Sequence, residues 1–167
     1  MKKMLTVGNK VFYPCQGPCL ISSVDEKVVA GIPKSFYHLV LLDDSGGELF
    51  VPVDRAQARG IRHLLKKSEI PKLLGMLMMT TEIAGDRNQR ANDILKRFTS
   101  GSAFDLAEIV EFLTELGRKK SITLRESWVL TRARKFLVCE LSEVMGETRS
   151  AVGEQVDQAL NAQKLQG

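Results

Sequence analysis

The sequence predicts an α+β protein, with a small N-terminal β-barrel of the SH3 or Tudor type and a C-terminal domain of five helices. Two observations carry this prediction. Short alternating segments separated by turn residues run to about residue 65, which is typical of a small curled sheet. From residue 68 onwards, apolar residues recur at the spacing of a helix. The 167 residues leave room for two small domains, and we expect them to be residues 1–64 and residues 65–167.

Four strands are expected in the first domain, because two turn signals interrupt its alternating segments. Residues 30–33, Ala-Gly-Ile-Pro, mark one turn. The glycines of residues 43–47 supply the positive φ that a hairpin loop needs. The expected strands are residues 10–13, 20–29, 35–42 and 48–53.

Capping residues divide the second domain into helices. Ser68 is expected to begin a short first helix, and Ser102 and Thr123, each followed three residues later by an acid, resemble capping boxes. Gly146 should end the long fourth helix, and Thr148 should begin the fifth. The apolar spacing predicts the buried faces of these helices, which include Leu73, Leu74, Leu77, Met78, Ile94, Leu95, Phe98, Leu106, Ile109, Val110, Leu113, Leu124, Trp128, Leu137, Leu141, Val152, Val156 and Leu160.

The composition is that of an ordinary globular protein, 44% hydrophobic and 26% charged. A net charge of +4 permits contact with an acidic partner such as nucleic acid but does not require one. The longest apolar runs, residues 36–42 and 73–79, are too short to span a bilayer. No apolar run follows the basic residues 2–3, so we expect no secretory signal. The expected location is the cytoplasm, where the three cysteines would be reduced thiols.

Cys15 and Cys19 are the strongest hint of chemistry, but their spacing does not favour it. A structural zinc site usually has four ligands, and the only histidines, His38 and His63, have no matching spacing. A redox pair needs two intervening residues, whereas three separate these cysteines. The favoured interpretation is a turn with two incidental thiols, and a metal or thiol protein that uses this pair is an alternative. We expect Cys139 to lie in the core.

No catalytic motif is present in the sequence. It contains neither a Gly-x-Ser-x-Gly elbow nor a glycine-rich phosphate loop. We therefore expect no enzymatic activity and no cofactor. Trp128 is the only tryptophan, and its place on the predicted apolar face of the fourth helix indicates a core residue.

Basic residues cluster at the start of the second helix. Arg87 and Arg90 lie where a predicted loop, residues 80–89, enters this helix, and Lys96 and Arg97 follow on it. A helix N-terminus with nearby arginines is a good phosphate site, because free amides and the helix dipole add to the charge. These four residues are therefore candidates for DNA contact, and the alternative is an ordinary solvated face. Another basic cluster, residues 118–120, is expected in a loop after Gly117.

Six segments of the chain together resemble the CarD/CdnL family of bacterial transcription regulators, over residues 5 to 160. Four of them are similar to the family's N-terminal domain, which also occurs in the transcription-repair coupling factor: Val7-Gly8-x-Lys10-Val11-x-Tyr13-Pro14-x-Gln16-Gly17, Ser35-Phe36-Tyr37, Val51-Pro52 and Gly60-Ile61-Arg62. The other two are similar to its helical domain: Ser100-Gly101-Ser102-x-Phe104-x-Leu106-Ala107-Glu108-Ile109-Val110 and Leu137-x-x-Glu140-Leu141.

The resemblance implies a mechanism without catalysis. The Tudor-like domain, residues 1–64, would dock on the β subunit of RNA polymerase, and the helical domain, residues 65–167, would face promoter DNA at the upstream edge of the melted region. There it would modulate the stability of the open complex. The positions that contact the β subunit in the family correspond to Lys27, Phe50 and Pro52 in this sequence.

The sequence departs from the family at the DNA-contacting position. The family places a tryptophan at the helix entry, followed by a basic pair. Here the tryptophan position is Arg87, and the pair is Gln89 and Arg90. Arginine enters a narrow minor groove, but it lacks the flat apolar face that props a base step apart. Trp128 is expected on a different helix. An adaptor of the same fold that binds polymerase with little or no DNA contact is therefore the alternative.

Overall fold

The structure is a computed structural model that describes residues 5–162. The chain divides into two compact units, Met1–Leu64 and Leu65–Gly167. The first unit contains a five-stranded antiparallel sheet and the second contains five α-helices. This arrangement confirms the predicted α+β fold class. The two ends of the predicted domains, residues 1–4 and residues 163–167, lie outside the described residues.

The sheet has the strand order β4-β3-β2-β1-β5, and every neighbouring pair is antiparallel. A tight turn at residues 30–31 joins the two longest strands, and both of its residues adopt positive φ. The β2 strand carries a bulge between Ile21 and Ser23, which shifts its alternation by one residue. The strands are β1 (Lys10–Tyr13), β2 (Gly17–Val29), β3 (Ile32–Leu41), β4 (Glu48–Pro52) and β5 (Arg62–His63).

One face of this sheet forms the core of the first unit. Side chains alternate between the two faces of a strand, so every second residue of β3 and β4 points inward. The buried cluster consists of Val11, Cys19, Ile21, Tyr37, Leu39, Val51, Ala56 and Ile61. The opposite face of β3 and β4 is left for polar, charged and aromatic residues.

The helices of the second unit are α1 (Ile70–Leu77), α2 (Arg87–Thr99), α3 (Ala103–Lys119), α4 (Leu124–Met145) and α5 (Arg149–Ala162). Capping follows the sequence closely at three of their ends. Thr123 and Glu126 form the predicted capping box, and Ser102 accepts a hydrogen bond from the Asp105 amide. Gly146 ends α4 in the left-handed region, with φ 69°. Within residues 5–162, no helix is long and apolar enough to cross a membrane.

Several predicted details of the helices are wrong. The α2 helix begins at Arg87 because Asp86 caps it, so the preceding loop is shorter than residues 80–89. The α3 helix continues past Gly117, which places Arg118 and Lys119 in its last turn rather than in a loop. Three apolar residues that were predicted to be buried are exposed, namely Met78, Leu95 and Leu124.

Trp128 is also not a core residue. Its relative accessibility is 56%, because the buried face of α4 runs through Val129, Ala133, Phe136 and Leu137. Leu124 and Trp128 are four residues apart, so they lie together on a neighbouring face of the helix that solvent reaches. The i, i+4 spacing correctly predicted that the two residues share a face of the helix, but that face is not the one that packs in the core.

A buried carboxylate anchors the loop that precedes α2. Glu111 on α3 is only 1% exposed, and its Oε1 accepts a hydrogen bond from the Thr81 amide at 2.6 Å. Its Oε2 is buried and has no hydrogen-bond partner within residues 5–162. Burial raises the pKa of the Glu111 carboxyl, and the hydrogen bond from Thr81 only partly opposes this effect.

Glu111 should therefore make the stability of the protein depend on pH. Because its pKa is higher in the folded state, protonation favours folding, and this contribution is lost as the pH rises through the folded-state pKa. As the pH rises, the free energy of unfolding of the wild type should fall relative to that of Glu111→Gln. The fall should be about 1.4 kcal/mol for each unit by which folding raises the pKa of Glu111. Urea unfolding at several pH values tests this, with the exposed Glu154→Gln as the control. Parallel pH profiles for wild type and Glu111→Gln would contradict the prediction.

Candidate functional site

Three side chains predicted to contact a partner protein come together on the outer face of the sheet. The Lys27 ammonium lies 3.8 Å from the centroid of the Phe50 ring and 5.8 Å from that of Phe36. The Phe50 ring also stacks on His38, with 4.7 Å between ring centroids and 11° between ring planes. Pro52 lies opposite Phe36 in the ladder. We call Lys27, Phe36, His38, Phe50 and Pro52 the Phe50 face.

The register of the sheet explains why these residues share one face. His38 pairs with Phe50, and Phe36 pairs with Pro52, so all four side chains point to the same side of β3 and β4. Lys27 pairs with Lys34, two residues from Phe36. Phe36 and His38 were not predicted as site residues. Period-two alternation along β3 places them with each other, but their approach to Phe50 depends on strand pairing.

Phe50 is 43% exposed although it is a large aromatic residue. Its strand, β4, is an edge of the sheet, because within residues 5–162 it pairs with β3 alone. An edge strand leaves main-chain groups unpaired and offers them to a partner strand. Pro52 at the end of β4 lacks an N–H group, which is tolerated at an edge. The Phe50 face therefore combines an aromatic anchor, a cation and an accessible strand edge.

The four candidate DNA-contacting residues all lie on α2, but their surroundings differ. Arg87 is the first residue of the helix and is exposed, and its side chain makes no hydrogen bond or ion pair with the rest of residues 5–162. The helix N-terminus is partly capped, since the Asp86 carboxylate accepts a hydrogen bond from the Gln89 amide and the Gln89 side chain accepts one from the Asp86 amide. An anion at this end would meet the Asp86 carboxylate as well, so its contact would depend on the Arg87 guanidinium more than on the helix amides.

Two of the other candidate residues are partly neutralised. Arg90 lies 3.5 Å from Glu126 on α4. The Arg97 guanidinium, only 22% exposed, lies 3.1 Å from Asp93 and 2.8 Å from Glu108 on α3. Lys96 is exposed. The positive charge that α2 offers to a partner is thus concentrated on Arg87 and Lys96, and Arg97 joins α2 to α3.

This difference predicts effects of different size on stability at two adjacent positions. Arg97→Ala should lower the free energy of unfolding by about 1–2 kcal/mol, because it leaves two partly buried carboxylates without their cation. Lys96→Ala removes the same charge from an exposed site and should change stability by less than about 0.5 kcal/mol. Urea unfolding of the two variants measures both values. Equal stabilities would show that the ion pairs of Arg97 contribute nothing to the fold.

A groove between α2 and α4 brings Arg87 close to Trp128. It encloses about 270 Å³, and the Trp128 side chain forms part of its wall. We call it the Trp128 groove. It is lined by Arg87, Arg90, Ala91, Asn92, Ile94, Leu95, Thr123, Arg125, Glu126, Trp128 and Val129. Trp128 is on a different helix from Arg87, as expected, but it contributes to the same surface.

The cysteines do not form a site of their own. Cys19 is buried in the core of the sheet, and its sulfur contacts the Gly17 carbonyl oxygen at 3.3 Å. Cys15 is half-buried in a turn with positive φ, and within residues 5–162 none of the three cysteines, including buried Cys139, forms a disulfide. Across residues 5–162, no group of three or more His, Cys, Asp or Glu side chains is placed to hold a metal ion.

Two family models match the chain, one in each unit. Residues 5–65 match the CarD-like/TRCF RID domain, and residues 74–157 match the CarD C-terminal domain. The two matches follow one another along the chain and together cover both the sheet and the helices. The chain belongs to the CarD family. The resemblance inferred from the sequence motifs is thereby confirmed, and this is a family of transcription regulators whose N-terminal domain type is associated with RNA polymerase interaction.

A bacterial relative is similar to this CarD family member over most of both chains. The chain is 23% identical over 153 residues to the Bacillus subtilis (strain 168) protein named "Putative transcription factor YdeB". The alignment covers 89% of this chain and 97% of that protein. The aligned residues therefore extend through both the sheet and the helical unit of this chain.

Proposed function

We propose that this CarD family protein docks on the β subunit of bacterial RNA polymerase and contacts promoter DNA near the upstream edge of the transcription bubble, where it modulates the stability of the open complex. Residues 1–64 act as the polymerase-interaction unit and residues 65–167 as the DNA-facing unit. The observation that carries the proposal is the Phe50 face, which brings Lys27 of β2 to Phe50 and Pro52 of the exposed edge strand β4.

The chemistry of the Phe50 face suits a protein partner better than a nucleic acid or a small molecule. A partly exposed aromatic ring held between an imidazole and an ammonium group is rigid, so little side-chain entropy is lost on binding. Aromatic residues are also the most frequent interface anchors. The neighbouring edge of β4 would add main-chain hydrogen bonds to a strand of the partner.

The proposed DNA contact depends on exposed positive charge in the second unit. Arg87 projects from the start of α2 without a carboxylate partner among residues 5–162, and Lys96 is exposed further along the same helix. Binding to phosphates releases condensed counterions, so the affinity for DNA should fall as salt rises. The protein performs no chemistry. It acts in the cytoplasm by binding one state of the polymerase–promoter complex better than another.

A polymerase-binding adaptor with little or no DNA contact is the second candidate function. It is favoured by the ion pairs of Arg90 with Glu126 and of Arg97 with Glu108, which remove two of the four candidate cations. Under this alternative the protein would still bind polymerase through the Phe50 face. Its affinity for isolated DNA would be negligible at any salt concentration.

The half-life of the open complex separates the two candidates. Polymerase, a promoter fragment and a competitor are mixed with and without saturating protein, and the surviving complex is measured over time. The proposal expects a changed half-life that returns towards the protein-free value in Arg87→Ala. If the protein binds polymerase but the half-life of the open complex is unchanged at every promoter tested, the adaptor is favoured instead.

A further inference from the structure

Trp128 is an exposed aromatic residue, although the apolar spacing of the sequence predicted it to lie in the core. The match to the CarD family does not explain it. Its indole is 56% exposed, yet it is not loose on the surface. Buried Phe98 supports it at 6.0 Å between ring centroids, with 60° between ring planes. The Arg132 guanidinium lies 5.1 Å from the indole and 5.0 Å from Phe136. A large flat ring is therefore held in place and left accessible.

The charge around this ring favours an anionic partner. Three arginines, Arg87, Arg90 and Arg125, and one acid, Glu126, line the Trp128 groove, which leaves a net of two positive charges. Glu126 is already paired with Arg90. Arg87 and Arg125 are exposed, so they would present their guanidinium groups to a ligand that reaches the indole.

The size of the groove limits what the ring would bind. The volume of about 270 Å³ is just below the range for small-ligand sites, roughly 300 to 1,000 Å³. The space suits one planar ring rather than a helix or strand. The groove has apolar walls from Ile94, Leu95 and Val129, an aromatic ring and a rim of arginines. Single-stranded nucleic-acid sites combine an aromatic ring, on which bases stack, with cations that bind the phosphates.

We infer that Trp128 stacks on an unpaired base of single-stranded or melted DNA, while Arg87 and Arg125 hold the phosphates that flank it. The inference rests on the proposed DNA contact and makes it more specific, because it names the form of DNA and the residue that recognises it. Stacking is sequence-tolerant, since every base has a π face. The site would therefore distinguish melted from paired DNA rather than one sequence from another.

Because Trp128 is the only tryptophan, its fluorescence reports on the groove directly. The full-length protein is titrated at low salt with a labelled single-stranded oligonucleotide, while tryptophan emission and the anisotropy of the label are recorded. The matched control is an abasic oligonucleotide of the same length and charge. We expect both strands to raise the anisotropy, but only the strand with bases to quench Trp128.

Variants provide the second test, read by anisotropy alone. Trp128→Leu keeps an apolar side chain but loses the π face, so its affinity for the base-containing strand should fall about tenfold. Its affinity for the abasic strand should be unchanged, which a merely misfolded variant would not show. Leu124→Ala, at a neighbouring residue that is 93% exposed and outside the groove lining, is the control.

Each outcome decides a separate claim. Quenching that requires bases, together with the loss in Trp128→Leu, supports stacking. DNA binding without quenching, or equal quenching by the abasic strand, overturns stacking but leaves the proposed DNA contact intact. Unchanged affinity of Trp128→Leu for the base-containing strand would also overturn stacking. No anisotropy change with either single strand would overturn stacking, and salt titrations with forked DNA would then decide whether the proposed promoter contact also fails.

Discussion

Phe50→Ala should weaken the binding of this protein to RNA polymerase by about 30-fold, or about 2 kcal/mol. The substitution removes a side chain that contacts both His38 and Lys27 on the Phe50 face. It therefore eliminates the aromatic anchor and also releases the ammonium group from its fixed position. Since Phe50 is 43% exposed, the loss of fold stability should be small compared with that of a buried phenylalanine.

Val24→Ala is the matched control for this experiment. Val24 is also a half-exposed apolar residue of the same sheet, but it pairs with Tyr37 and so points to the opposite face. Binding of polymerase core enzyme to wild type, Phe50→Ala and Val24→Ala is measured by calorimetry, and unfolding by urea. If the two variants bind equally well, Phe50 lies outside the interface.

Arg87→Ala should lower the affinity for DNA by about tenfold at low salt, the value of one charge-assisted contact. The slope of log affinity against log salt should become shallower by about one. Arg90→Ala should have a smaller effect, because the Arg90 guanidinium already pairs with Glu126 at 3.5 Å. Salt titrations with a labelled forked DNA measure these slopes.

Lys120→Ala is the charge-matched control for Arg87→Ala. Lys120 is exposed at the end of α3 and is outside the lining of the Trp128 groove. Its removal changes the net charge by the same amount, so it should reduce affinity only through the weak general field of the protein. Identical losses in the two variants would indicate non-specific attraction rather than a contact at the start of α2.

The parts of the fold that local chemistry determines were predictable. The capping box of Thr123 and Glu126 and the left-handed Gly146 bound α4 where the sequence indicates. The strand β1 has the predicted ends. In contrast, the two-residue strand β5 was not predicted, because it exists only through its pairing with β1. The α3 helix passes Gly117 because Arg118 is anchored on α5, by hydrogen bonds to Leu160 and Asn161.

The sequence predicted several residues of the candidate site, but not how those residues are arranged. Family motifs named Lys27 and Phe50, but their contact at 3.8 Å depends on a ladder that joins β2, β3 and β4. Arg97 looked like a free cation in the sequence, whereas Glu108 reaches it from another helix. Trp128 satisfied the apolar spacing but lies beside the buried face of α4. In each case the missing information is a tertiary contact between separate segments.

Binding of the whole protein to an isolated lobe of the polymerase β subunit tests the central claim most directly. The proposal predicts a one-to-one complex with this fragment in the absence of DNA and of the other subunits, because the Phe50 face is complete within residues 5–64. Calorimetry with the purified fragment would measure it. If the protein binds polymerase but not the β fragment, or binds neither, docking through the β subunit is wrong.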